Sequence, residues 1–427
     1  MGSNAYQHEF WPNGEEREVT GPLHGIRIID LTAVIMGPYA TQVFGDMGAD
    51  VIKVESPVGD TTREIGPNRT HGMGVVFINA NRSKRSIVID LKSAAGKEVL
   101  SRLIRTGDVF MYNMRPQAME RLGLGYEAVS AINPKIVYCG VYGYSQKGPY
   151  AARPAYDDLI QGASVISTLL ARSGDGTPRY VPAAIADRIT GLTAVNAVLA
   201  ALVHRERTGE GQKIDVPMFE TMTRFFLNDH LGGLSYEPPL DKGGYPRQLA
   251  RDRRPYKTKD GYICALIYIN KHWENFFKAI GQEERFRTDE RFHSVASRLK
   301  NVQSIYAEIS DMFQTRTTAE WMKLLEEADI PFSPMHDLES IVDDPHLVAT
   351  DFFQPEDHPS EGRLKRMREP SEWSKTQPEA TRHAPRLGEH SREILAELGY
   401  SADEIRRLSA EKVIAAAPDL PHDPPSV

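Results

Sequence analysis

One carboxylate, Asp187, stands in the run Y-V-P-A-A-I-A-D-R-I-T-G (180–191), among small and apolar residues. Just after it comes a long, Ala-rich apolar stretch, 189–203, with the periodicity of a buried helix. A carboxylate so placed has two readings. It can be an N-cap, accepting a hydrogen bond from the first free backbone N–H groups. It can also be a nucleophile, held in an apolar pocket at a helix N-terminus. The two are compatible, and the local sequence leaves both open.

Basic residues offer a second kind of chemistry. The cluster Asn81-Arg-Ser-Lys-Arg85 directly precedes the apolar run 86–91, and Lys92 follows it. These are either solvated charges at strand ends or a rim that grips phosphate, Arg by bidentate bonds and Lys as a point charge. The first strand-to-helix turn carries Gly37-Pro38 but no G-x-G-x-x-G, so no dinucleotide fingerprint is supported. Its backbone N–H groups could still meet a pyrophosphate, or it is simply a turn. The two cysteines, Cys139 and Cys264, lie in apolar runs, and no Cys/His cluster has metal-ligand spacing, so no metal is expected. Cys139 reads as core. His71, His204, His272 and His390 are scattered, and His390 reads as capping or ordering the last helix.

The elements that must position these groups follow from periodicity. With 427 residues, 41% hydrophobic and 26% charged, the chain can build two domains with cores of their own. A net charge of −7 argues against a nucleic-acid binder. No run reads as a membrane span, and the N-terminus reads as neither a secretory signal nor a transit peptide, so the expected home is the cytoplasm. The spacing predicts strands over 25–32, 48–55, 86–91, 108–114, 136–144 and 212–216. Helices are expected over 39–47, 94–105, 118–122, 153–171, 189–206 and 217–227. This alternation predicts an α/β fold with a doubly wound parallel sheet. A Gly/Pro-rich, basic segment, 231–260, reads as a linker. A small domain follows over 261–345, with helices near 272–281, 297–314 and 317–328 and with Trp273, Trp321, Phe276 and Phe277 as its core. Residues 346–415 return to strand and loop pattern and end in a last helix, 391–398. Residues 1–20 read as a disordered lead-in and 416–427 as a disordered tail.

Several stretches together resemble the class III CoA-transferases, the formyl-CoA transferase or carnitine-CoA transferase family, of CaiB/BaiF type. They are G-I-R-I-I-D-L-T (25–32), G-A-D-V-I-K-V-E (48–55), N-R-S-K-R-S-I-V-I-D-L-K (81–92), N-M-R-P-Q-A-M-E-R-L-G-L (113–124), R-P-A-Y-D (153–157), I-A-D (185–187), R-T-G-E-G-Q-K-I-D-V (207–216), Y-K-T-K-D-G-Y (256–262) and P-R-L-G-E-H (385–390). Each is weak alone; their order and spacing are specific. The resemblance implies a Rossmann-like large domain built from both chain ends (21–230 and 346–415), a smaller α+β domain, and an interlocked homodimer. It implies Asp187 as nucleophile and CoA contacts at Val34, Ile35, Met36, Ile89, Lys92, Asn113, Arg121, Arg153 and Tyr156, to which the basic Arg85 and Arg115 are added.

Coenzyme A is then bound as a substrate, with no cofactor consumed. The partners are an acyl-CoA donor and a carboxylate acceptor. Transfer would pass through an aspartyl anhydride and an aspartyl-CoA thioester, with backbone N–H groups from Arg188 onward as oxyanion donors. The chain departs from the family at Ile35 and Ser56, where some members carry a polar and a basic residue, and it has no clear glycine-rich lid. Two other readings stand beside transfer. One is a 2-methylacyl-CoA racemase of the same fold, which needs two acid/base groups; Tyr156 stands where that branch has a His, and a phenol is a poor base at neutral pH. The other is a CoA-binding protein without catalysis, which would not need Asp187.

Overall fold

The computed structural model describes residues 9–10, 16–17 and 21–415. Glu9–Phe10 and Glu16–Arg17 pair as a short antiparallel hairpin. The rest of the expected lead-in, and the tail 416–427, lie outside the described residues.

The chain divides into two units. One gathers the residues up to Ile160, Pro182–Met222 and those from Ala349 onward; the other takes Gln161–Val181 and Thr223–Val348. The sequence reading places 161–181 and 223–230 in the large domain. In the structure Gln161 instead clasps Val181, donating to its carbonyl at 3.4 Å and accepting its N–H at 2.8 Å.

The first unit is organised by a seven-stranded sheet. Its strands are β1 (Arg27–Leu31), β2 (Asp50–Glu55), β3 (Lys84–Ile89), β4 (Val109–Tyr112), β5 (Val137–Tyr142), β6 (Gln212–Pro217) and β7 (Ile414–Ala415). They lie in the order β7-β3-β2-β1-β4-β5-β6, and all but β7 run parallel. The order β3-β2-β1-β4-β5-β6 is that of a doubly wound nucleotide-binding sheet, whose direction of winding reverses between β1 and β4. Ligands of such sheets bind at the carboxyl ends of the strands at that reversal.

β3 and β5 are buried along their whole lengths, as parallel strands covered on both faces must be. Val99, Leu103 and Ile104 of the helix Ala94–Thr106 pack on Ile29 and Phe110, all with no exposed surface. Each such side chain contributes about 1.5–3 kcal/mol by leaving water. The outer edge of β3 is closed by the chain's end. His390 N–H donates to Ser86 O at 3.0 Å, Ser86 N–H donates to His390 Nδ1 at 3.3 Å, and Gly388 N–H donates to Ser86 Oγ at 2.9 Å. β7 then pairs antiparallel at Ile89 and Val88. The motif 385–390 is thus an edge strap. His390 occupies the cap position of the helix Ser391–Glu397, but its ring makes no cap bond there; it serves β3 instead.

Several elements differ from the sequence reading. Helices form at Val75–Asn81, Tyr126–Ile132 and Ala402–Ala410, where none is expected. The last follows a capping box, Ser401 with Glu404, so 391–398 is not the final helix. The helix expected over 153–171 is two pieces, α2 (Asp157–Ala163) and Ile166–Ser173, parted by Val165 at φ +71°. The piece at 297–314 breaks at Asn301. The long apolar helix, α3 (Ile185–Thr208), is long and apolar enough by length and composition to cross a membrane, contrary to expectation. Half of its apolar window is buried, and Gly191, Ala194 and Val198 lie in the interior of the unit.

The second unit has a three-stranded antiparallel sheet, Phe332–Pro334, Tyr262–Ala265 and Tyr256–Lys257, with helices around an aromatic core. Phe313 stacks on Tyr256 and meets Trp321, both at 4.4 Å between centroids, and Trp321 Nε1 donates to Phe313 O at 2.7 Å. Trp273, Phe276 and Phe277 are buried in the same cluster.

Candidate active site

The carboxyl end of β1 runs through Thr32 and Ala33 into Val34, then into the helix α1 (Met36–Asp46). Val34 holds φ at +72°, a region that costs a β-branched residue free energy. The surroundings fix it there. Asp60 accepts the Val34 N–H on both carboxylate oxygens at 3.2 Å. Asn113, just past β4, clamps Ala33: its Oδ1 accepts the N–H at 2.9 Å and its Nδ2 donates to the carbonyl at 2.6 Å. Lys53 of β2 donates to Thr32 O at 2.9 Å and to Asp60 at 3.0 Å. The reversal point of the sheet is therefore held at three successive residues.

Beneath this turn lies a buried charge network. Asp30 of β1 accepts from Thr32 and Thr41 and pairs with Lys84 of β3 at 3.3 Å. Lys84 also donates to Pro38 O at 2.9 Å and to Asn81 Oδ1 at 2.8 Å. Burial opposes ionisation of Asp30, but Lys84 and Lys53 beside it hold the carboxyl below the usual range. Burial pushes the Lys84 ammonium down to about 8, against the pull of Asp30. Removing one partner from such a pair costs about 3–5 kcal/mol, because an unpaired charge is left behind.

Asp187 lies in the first turn of α3, not at its cap. The helix begins at Ile185, with Ala184 in the cap position and no side-chain cap bond. The role of an acidic cap is taken from outside: Asp157, the first residue of α2, accepts the Asp187 N–H at 2.9 Å. The Asp187 carboxylate itself has no hydrogen bond or ion pair among the described residues. Burial first, then the neighbouring Asp157 charge, push it up to about 7, against the opposing pull of Arg188. Arg188 turns its guanidinium over the Tyr39 ring, 4.7 Å away. One turn further on, Gly191 sits so close to α1 that a Cβ there would lie 2.8 Å from Met36 O and 3.3 Å from Tyr39. The helix carrying Asp187 thus packs on the residues that leave the β1 turn.

Other expected contacts lie on the segments that leave the carboxyl ends of β1, β3, β4 and β5. Ile35 occupies the cap position of α1, and Met36 is buried in its first turn. Arg115 donates to Ala152 O at 3.3 Å, which ties the residues after β4 to the segment before Asp157. In that segment Arg153 is exposed, stacked over Tyr150 at 3.9 Å, and Tyr156 is exposed. Lys92 and Arg121 are exposed, beyond β3 and in the last turn of the helix Pro116–Leu122.

Three expectations need correction. Arg85 lies near the amino end of β3, away from the turn. Its guanidinium is spent on Asp50, Glu393 and Glu397, which together oppose burial and keep it charged. Ile89 is enclosed in the core and paired with Ile414, so only its main chain could reach a ligand. The Arg188 N–H, named as an oxyanion donor, is bonded to Ala184 O at 3.1 Å. The residues missed by the sequence reading are Asp60, Lys53 and Asp30, while Lys84, read as part of a basic rim, is buried on Asp30. For Asp30 and Lys53 the signal was present as charges inside otherwise apolar strands, I-I-D-L and V-I-K-V-E, which must be paired when both faces are covered; Asp60, in a loop, gave none.

A family model described as CoA-transferase family III matches residues 23–391. The chain belongs to CoA-transferase family III. Among relatives in this family, the succinyl-CoA:glutarate CoA-transferase of Mus musculus is 32% identical over 397 residues, covering 92% of this chain and 90% of that protein. The formyl-CoA:oxalate CoA-transferase of Shigella sonnei (strain Ss046) is 32% identical over 417 residues, covering 92% and 99%. The crystal structure of a CaiB/BaiF family protein from Brucella suis superposes with a TM-score of 0.75 at 31% identity, covering 89% of this chain and all of that one. The chain is accordingly a CoA-transferase of this family, with CoA thioesters as substrates. Among the described residues no cluster of His, Cys, Asp or Glu could hold a metal ion.

Proposed function

We propose that this family III enzyme moves CoA from an acyl-CoA thioester to a free carboxylic acid, with Asp187 as the transient acyl carrier. An Asp187 oxygen attacks the donor carbonyl carbon, the C–S bond breaks, and a mixed anhydride forms as CoA thiolate leaves. The thiolate then attacks the Asp187 carbonyl, releasing the donor acid and leaving an aspartyl-CoA thioester. The acceptor carboxylate attacks this thioester and expels thiolate again. Thiolate attack on the acceptor carbonyl yields the new acyl-CoA and frees Asp187. Each anhydride lies above the thioester on either side of it and is consumed by the returning thiolate, and because a thioester and a carboxylate stand at both ends, the overall transfer is reversible.

The observation that carries this reading is the Asp187 carboxylate itself. It is half-buried, without a hydrogen-bond partner among the described residues, at the positive end of α3, on a helix packed against the β1 turn. A carboxylate that serves the fold is usually tied to a donor or a cation, and this one is left open to a substrate. The side chains on the segments after the strands suit CoA: Arg115, Arg121, Arg153 and Lys92 offer cations for phosphates, and Asn113 and Asp60 set the backbone at Ala33 and Val34. With its acid strength shifted to about 7, Asp187 is only half ionised at neutral pH, and not fully ionised as an ordinary Asp would be.

The test is intact-mass analysis after incubation with acyl-CoA, which should reveal an adduct mapping to Asp187. Asp187→Ala should abolish transfer and leave CoA affinity within about threefold. Deuterium wash-in at the acyl α-carbon without any adduct would instead identify racemisation. Succinyl-CoA with glutarate and formyl-CoA with oxalate, the pairs in the relatives' names, are the first to assay. The resemblance further supports an interlocked homodimer, which light scattering on the purified chain tests, and the cysteine usage supports a home in the cytoplasm.

A further inference from the structure

The second unit holds a cavity of about 480 Å³, within the range of small-molecule sites. Its walls are chiefly aliphatic and aromatic, among them Ile267, Tyr268, Trp273, Val302 and Tyr306. Its charged lining residues are all cations, Arg247, Lys271 and Arg298, with no Asp or Glu.

One of these cations lacks the anion that burial demands, and a second, half-buried, has part of its guanidinium enclosed without a partner. Arg298 is only 7% exposed, yet its guanidinium bonds neutral acceptors, Phe292 O at 2.7 Å and Asn270 Oδ1 at 2.5 Å. Burial alone holds it below the ordinary arginine range, with no carboxylate to oppose that shift. Arg247 lies over the Tyr268 ring at 4.8 Å, and its Nε is shut from solvent without a hydrogen bond. Buried charges in folded proteins are paired, and among the described residues no carboxylate pairs with either arginine. Elsewhere in the same unit the arginines near acids are paired, as Arg291 is with Asp289 and Glu308.

We propose that this cavity binds a small organic carboxylate, its apolar body against the aromatic and aliphatic wall and its charge met by Arg247 and Arg298. A phosphate would need a more polar lining, whereas a planar carboxylate suits a guanidinium fork and leaves the remaining wall for carbon. None of its lining residues has been given a part in the proposed transfer, so the inference does not depend on the role of Asp187. Free carboxylic acids are also the acceptor class of the proposed reaction, so the occupant is either that acceptor or a separate carboxylate.

Calorimetric titration of the full chain with hexanoate and with hexanamide tests the inference, repeated in Arg247→Met, Arg298→Met and Asp187→Ala. The acid should bind at least about tenfold more tightly than the amide, and each arginine variant should lose about tenfold for the acid only. Arg298→Met replaces an uncompensated cation by an apolar chain of similar length; if its melting temperature falls, Arg247→Met carries the test. Equal binding of acid and amide, no binding of hexanoate, or unchanged binding in both arginine variants overturns the site. Binding lost in Asp187→Ala but kept in both arginine variants assigns the heat to the transfer site and also overturns it. If the occupant is the acceptor, Arg247→Met raises the acceptor KM and leaves the donor KM unchanged; if both KM values stay constant while hexanoate affinity falls, the occupant is a separate carboxylate.

Discussion

Asp187 and Asp157 are two carboxylates held together through a main-chain bond: Asp157 accepts the N–H of the residue whose acid strength it perturbs. Neutralising Asp157 while keeping its acceptor oxygen should therefore change the chemistry more than the fold. Because the Asp187 carboxyl is raised to about 7, the anion that attacks is depleted as pH falls through that value. The kcat/KM profile of the free enzyme should rise with pH to a plateau above ~8, with an acid limb near 7. Asp157→Asn removes the second cause of the shift but not the first, so the limb should move to lower pH by roughly one unit or less. Initial rates between pH 5 and 9 on both proteins check this. An acid limb near 4 in the parent enzyme would mean that burial does not shift Asp187.

At the scale of elements, the turn between β1 and α1 depends on side chains from two neighbouring strands and the loops after them. Val34 stays at φ +72° because Asp60 takes its N–H, and Asp60 stays put because Lys53 and Thr62 hold it. Asp60→Ala leaves Lys53 buried and short of an anion, and should lower stability by about 3–5 kcal/mol. It should also let the turn relax, raising the KM for acyl-CoA more than it lowers kcat. Glycine adopts positive φ without strain, so Val34→Gly in the Asp60→Ala background should recover part of the KM loss and little of the stability. Steady-state kinetics with thermal melts on the two variants separate these effects. A kcat loss with unchanged KM would show that the turn does not position CoA.

On the scale of the whole molecule, the chain closes its own sheet: residues 385–391 and β7 return to the outer edge of β3, some 300 positions away. His390 is the joint. Burial, with Arg382 and Arg85 nearby, depresses its ring to about 4 despite the opposing pull of Glu389 and Glu393. A depressed folded-state value stabilises the fold above the unfolded value, near 6.5, and that contribution is lost as pH falls from there towards 4. Wild-type protein should lose about 2 kcal/mol over this window beyond the loss in His390→Asn, read as steeper acid dependence of the melting temperature. Parallel slopes would show that the ring is not the acid-sensitive joint.

Much of this molecule was legible from its residues in order. The strands that build the parallel sheet announce themselves as runs such as I-R-I-I-D-L and S-I-V-I-D-L, because a strand buried on both faces must be apolar throughout. Asp187 stood out because an apolar surround leaves a carboxylate nothing local to serve. Where the reading erred, it judged charge by its neighbours in sequence. Arg85 and Lys84 sit side by side in one basic cluster, yet one ends at the amino edge with Glu393 and Glu397 and the other beneath the β1 turn with Asp30. Successive strand residues point to opposite faces, and what waits on each face is set by strands and helices distant in sequence. Local pattern was enough for the family resemblance, the alternation of elements and the candidate nucleophile. Which charges pair, which carboxylate has no partner among the described residues, and how far its acidity moves came from the folded chain, because burial and Coulomb interactions depend on distances that no linear spacing contains.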